Sequence, residues 1–154
     1  MLVDLAKALK GTGDAPGALS VLQSLQFPRG TDVTLQLEAG RVAATLGASD
    51  FALQQFRAVV RVRPDLADAW AQLGFNLLVR GDVDEAGQAL AQAVRLNPRD
   101  AVALGGLAVS EMRLGRRDDA LAHATAALAI DPHEALASQV VAALRIGREI
   151  DSSR

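Results

Sequence analysis

The chain contains no cysteine, which removes disulfides, thiolate metal sites, a cysteine nucleophile and lipid attachment through a thiol together. Aromatic residues make up only 3% of the 154, and the formal net charge is −2. Nucleic-acid binders use a basic field and stacking platforms, and both are missing, so no nucleic-acid partner is expected. No stretch approaches the roughly 18 consecutive apolar residues of a membrane span. Residues 1–10 carry an acid at Asp4 and no long apolar run, unlike a secretory signal. The expectation is a cytoplasmic chain that does not associate with membranes. Lysine is confined to Lys7 and Lys10, every other base being arginine.

Half of the residues are hydrophobic, which argues against disorder, and they recur with a fixed period. Gly13, Gly47, Gly81 and Gly115 are evenly spaced, and Ala18, Ala52, Ala86 and Ala120 repeat the same interval. Ala6, Gly40, Gly74 and Ala108 form a third column of small residues, and Pro64, Pro98 and Pro132 a fourth. Several columns of different residue types on one period mark a repeat array, because an alanine-rich chain can supply one column by accident but not four. The third copy reads Trp70-x2-Leu73-Gly74-x2-Leu77, then Gly81, Ala86-x3-Leu90, Ala93 and Pro98. In pattern and period it resembles the tetratricopeptide repeat of the bacterial type, with leucines where bulky aromatics usually stand.

The expected fold is all-α: a right-handed superhelical solenoid of four helical hairpins, spanning about 1–30, 31–64, 65–98 and 99–132. A capping helix over 134–147 and a frayed tail over 148–154 complete it. Each glycine of the first column closes the turn inside a hairpin, since glycine takes the left-handed conformation at a helix end without steric cost. Asp14 and Pro16 suit the start of a helix running from Ala15 to Gln26, and Asp82 suits the cap of another. Phe27-Pro28-Arg29-Gly30-Thr31-Asp32 departs from the period and predicts an irregular linker. The second hairpin has Gln36 where the others have Leu2, Trp70 and Leu104, with Ala39 and Ala43 in place of leucines, so it is expected to pack less surface. Trp70 is expected to be deeply buried. Glu111 replaces an apolar residue, and because a buried unpaired carboxylate is costly it is expected to reach solvent or an arginine.

The residues that carry chemistry elsewhere have structural explanations here. His123 and His133 lack the cysteines or the paired carboxylate and histidine that would complete a metal site. Asp84/Glu85 and Asp118/Asp119 stand at starts of helices, where they favour the helix dipole. Gly105-Gly106 has no preceding strand and no following lysine, so it is no phosphate loop; it offers backbone that a neighbouring helix or a ligand can approach. No serine pairs with a histidine and an acid. No enzyme activity, metal or cofactor is expected.

The resemblance implies where a partner would bind. In tetratricopeptide proteins the first helices of successive hairpins line a concave groove, and the matching positions here include Leu37, Arg41, Ala71, Phe75, Leu78, Val79, Val109, Met112 and Arg113. The lining is largely apolar with basic ends, and implies a protein or peptide partner. The lysine, asparagine and arginine set that clamps a terminal carboxylate in chaperone-binding members is missing, as is the asparagine ladder of sugar-transferase superhelices. Two other readings stand beside the groove: a self-assembling, homo-oligomeric module, and a regulatory repeat segment of a larger enzyme or assembly system. Phe75 and Leu78 have a structural alternative too, in which they pack between adjacent hairpins.

Overall fold

The computed structural model describes residues 2–25, 27 and 32–152, and side chains as far as 146. The described residues form nine helices and no strand: α1 (Leu2–Gly11), α2 (Ala15–Ser24), α3 (Val33–Thr45), α4 (Ser49–Val62), α5 (Ala67–Arg80), α6 (Val83–Leu96), α7 (Ala101–Arg113), α8 (Arg117–Ile130) and α9 (Ala135–Ser152). Helices α1 to α8 pack as antiparallel hairpins in sequence order, and each hairpin packs on the next to give a helical repeat superhelix. The linker expected over 27–32 lies mostly outside the described residues, as does the Gln26 expected to end α2, which stops at Ser24.

The turns repeat atom for atom. Gly13, Gly47, Gly81 and Gly115 have φ of 86°, 77°, 93° and 77°, the conformation that side chains disfavour. The residue after each glycine donates its backbone N–H to a carbonyl five residues back: Asp14 to Leu9, Ala48 to Ala43, Asp82 to Leu77 and Arg116 to Glu111, at 2.8–3.0 Å. Capping is less uniform. Asp14, Asp32 and Asp100 accept backbone N–H bonds from Gly17, Thr34 and Ala103, whereas Asp82 makes no side-chain cap. Its carboxylate is drawn instead to Arg80, 2.7 Å away.

Inside each hairpin the small columns meet the large ones. Ala18, Ala52, Ala86 and Ala120 are completely buried. A Cβ added to Gly40 would come within 2.6 Å of the Phe56 ring, and one added to Gly74 within 2.5 Å of Leu90, so glycine here is what lets the facing helix close in. Phe56 is the largest fully buried side chain, and burying a residue of this size is worth about 1.5–3 kcal/mol. In the second hairpin, where smaller residues are expected to pack less surface, the Phe56 ring fills the space over Gly40. Gln36 is accommodated by a bond from its Nε2 to Oε1 of the buried Gln55 at 3.1 Å. Trp70 corrects the sequence expectation in the other direction. Its ring is only partly buried, because the indole Nε1–H must reach the Pro64 carbonyl at 2.9 Å.

Helix α9 continues the register of the first helices. Ala69, Ala103 and Ala137 follow one another at the repeat period and are all fully buried, and Val140 stands one period after Gly106. The helix packs on α7 and α8. It corrects two boundaries: it runs to Ser152, not 147, so the tail expected from 148 is helical through that residue. Gly147 does not stop it because one interior glycine costs only about 1 kcal/mol and no proline follows.

Candidate partner-binding groove

The nine candidate residues fall on α3, α5 and α7, the first helices of three successive hairpins. They do not share one environment. Leu37, Ala71 and Leu78 are buried at 8%, 6% and 8% exposure, so packing within the array already uses them. Phe75 is partly buried, with its ring set over Gly106 of the next hairpin, where an added Cβ would lie 2.5 Å from the ring. Val109 and Met112 are partly buried as well, and Met112 packs on the core formed by α7, α8 and α9. Val79 stands apart at 81% exposure.

The two candidate arginines are engaged by the chain itself. Arg41 pairs with Asp68 across α3 and α5, both side chains being nearly half exposed. Arg113 donates from Nη1 to the Leu78 carbonyl at 3.3 Å, joining α7 to α5. With the pair Lys7–Glu38 between α1 and α3, successive first helices are tied by one polar contact per step. A cleft of about 400 Å³ opens at the α1 end, lined by Lys7, Lys10, Gly11, Arg41, Val42 and Thr45, so the basic end of the surface is also concave.

The glycine pair expected to admit a helix or a ligand admits two side chains. Gly106 receives Phe75, and Gly105 receives the carboxylate of Glu134. That carboxylate, on a residue only 6% exposed, accepts the backbone N–H groups of Leu136 (3.2 Å) and Ala137 (2.6 Å) and so caps α9. Glu111 is corrected similarly. It is 5% exposed, and its partner is neither solvent nor an arginine but His123, whose Nδ1 lies 2.7 Å from Oε2. The signal is present in the sequence: two polar residues, on the facing helices of one hairpin, each break an apolar column.

Among the described residues no group of three or more histidine, aspartate or glutamate side chains is arranged to hold a metal ion, and no helix is long and apolar enough to cross a membrane. In the connection before α5 the Arg63 guanidinium, hydrogen-bonded at 2.8 Å, holds the Asp65 carboxyl down at about 2.

The family model described as tetratricopeptide repeat matches residues 37–101 and again 72–135, well over half of the chain. The peroxisomal targeting signal receptor of Eremothecium gossypii is 34% identical over 106 residues, 69% of this chain and 19% of that protein. Cellulose synthase operon protein C of Komagataeibacter xylinus is 35% identical over 92 residues, 59% of this chain and 7% of that protein. The chain thus spans a fifth or less of these relatives. Among solved structures, MamA superposes with a TM-score of 0.81 at 22% identity, covering 94% of this chain and 84% of that one, a likeness of fold.

Proposed function

The chain belongs to the tetratricopeptide repeat family, and from that premise we propose that it is a non-enzymatic interaction module whose first helices hold a segment of another protein. The observation that carries the reading is Val79, an apolar side chain 81% exposed on the same helix as partly buried Phe75. Val109 and Met112 lie on the next first helix. A partner helix or extended segment presenting an apolar residue gains by covering this patch. An acidic flank on that partner has to compete with Asp68 for Arg41, so charge adjusts orientation more than affinity. The receptor to which this chain is related is by name a reader of a targeting signal, which supports a peptide as the occupant.

The test is affinity capture from the source organism with three baits: the parent, Val79→Asp, and Arg145→Ala as a distant surface control. A partner held by the parent and the control is expected to be lost from Val79→Asp, with about 2 kcal/mol or more of affinity removed if the site is a hot spot. Retention at parental level by a Val79→Asp protein of unchanged helicity refutes the groove. Self-association is the second reading, favoured by Leu2 and Leu5, each 46% exposed on α1. Sedimentation of the parent beside Leu5→Glu decides it.

A further inference from the structure

A cleft of about 480 Å³ between α6 and α7 is lined by charges of both signs that do not pair with one another. Asp84 reaches it from α6, Glu111 from α7, and Arg116 from the turn that follows α7. None of these residues lines the proposed groove. The volume falls within the roughly 300–1,000 Å³ of small-ligand sites.

Exposed charges without partners are ordinary on a protein surface, and Asp84 and Arg116 are both exposed. Glu111 is not: it is 5% exposed and gives only Oε2 to His123. Its Oε1 has no hydrogen-bond partner among the described residues, and none of their buried side-chain oxygens is both sealed and unpaired. This oxygen therefore opens on the cleft that Glu111 lines. A carboxylate oxygen taken out of bulk water gains from any donor brought to it. The second group lies across from it. Arg116 extends to α6, with Nη2 3.8 Å from where a Cβ of Gly87 would stand, yet its guanidinium makes no hydrogen bond or ion pair among the described residues. Asp84 has no partner either. The remaining wall is largely apolar, from Ala91, Leu107 and Leu114.

We infer that this cleft is a binding site for a small zwitterion, a free α-amino acid with an aliphatic side chain. The charges select it by elimination. A simple cation meets Arg116 as a like charge, and a simple anion meets Glu111 and Asp84. A zwitterion satisfies both signs: its ammonium donates to Glu111 Oε1 and toward Asp84, and its carboxylate accepts from the Arg116 guanidinium, the pairing in which two parallel bonds form. The aliphatic side chain covers the apolar wall, and the half-used carboxylate of Glu111 gains the donor it lacks.

The experiment is titration of the ¹⁵N-labelled full chain by NMR with three probes. L-leucine carries both charges, 4-methylpentanoate lacks the ammonium, and 3-methylbutylamine lacks the carboxylate. Saturable shifts with leucine at residues of α6 and α7 are expected, with each one-charge probe bound about tenfold more weakly or worse. Arg116→Ala should weaken leucine about tenfold and leave the amine no weaker, whereas Glu111→Gln should weaken leucine and the amine and leave 4-methylpentanoate no weaker. Arg145→Ala, on α9, should change nothing. Arg116 is exposed, so its variant reads the site even if Glu111→Gln disturbs the hairpin. No saturation at millimolar leucine, one-charge probes bound as tightly as leucine, or leucine binding indifferent to Arg116→Ala each overturns the inference.

Discussion

Replacing His123 with alanine tests how the array tolerates a carboxylate in its interior. Glu111 is 5% exposed on α7 and has His123 of α8 as its partner at 2.7 Å, with the histidine side chain about one-third open to solvent. Removing one member of a fully buried pair costs about 3–5 kcal/mol because the other charge is left without compensation. Water can enter here from the open side of the histidine, which recovers part of that, so His123→Ala is expected to cost about 1–3 kcal/mol. Glu111→Leu behaves oppositely. It restores the apolar residue that stands at Leu77 and Leu9, one and three periods away, and exchanging a buried ionic group for a packed apolar one is neutral to stabilising by about 1–4 kcal/mol. In the double variant the penalty of His123→Ala should therefore vanish. Urea denaturation by circular dichroism measures the three variants. Hydrogen exchange in α7 and α8 accompanies it, because a repeat array need not unfold as one unit. If His123→Ala stays within about 0.5 kcal/mol of the parent, as ordinary surface changes do, or if Glu111→Leu loses as much as His123→Ala, the carboxylate does not depend on its partner.

Phe56→Ala should cost about 3–5 kcal/mol and Trp70→Ala clearly less, since the phenylalanine is fully buried and the tryptophan only partly; denaturation midpoints in the reverse order contradict this. Two glycines should respond with opposite sign. Gly106→Ala drives a Cβ against the Phe75 ring and should destabilise by about 1–3 kcal/mol. At Gly87 the new Cβ meets Ser110 at an ordinary 3.5 Å, so Gly87→Ala should gain about 0.5–1 kcal/mol of helix stability; equal effects at the two sites, by thermal denaturation, exclude the contact geometry as cause. The Asp65 carboxyl, lowered from 3.8 to about 2 by Arg63, contributes stability above 3.8 that is lost as pH falls through 2. A carboxyl titration followed by NMR should find it there, and Arg63→Ala should return it toward 3.8.

The period makes the hairpins, their glycine turns and the small columns legible, because each is a local backbone or size requirement that repeats at fixed spacing. Contacts between unlike positions are harder to foresee. Trp70 sits in a buried column, yet its N–H needs a carbonyl, and that polar demand keeps the ring near the surface. Leu37 and Leu78 read as groove lining from their helix face alone, but whether such a residue lines a groove or packs into the next hairpin depends on interhelix distance, which no column encodes. Arg41 and Arg113 likewise look available in sequence and are spoken for in three dimensions.

The register of α9 makes the array extensible from within. Since Ala137 meets α7 and α8 as Ala103 of another hairpin would, the last interface has room for a fresh copy of residues 99–132 spliced in after Pro132, with Asp100 of the copy in the place of Glu134. Such a graft repeats the packing of one hairpin on the next and leaves α9 seated on the same pair of helices, so the number of repeats becomes a parameter that duplication can change in whole units.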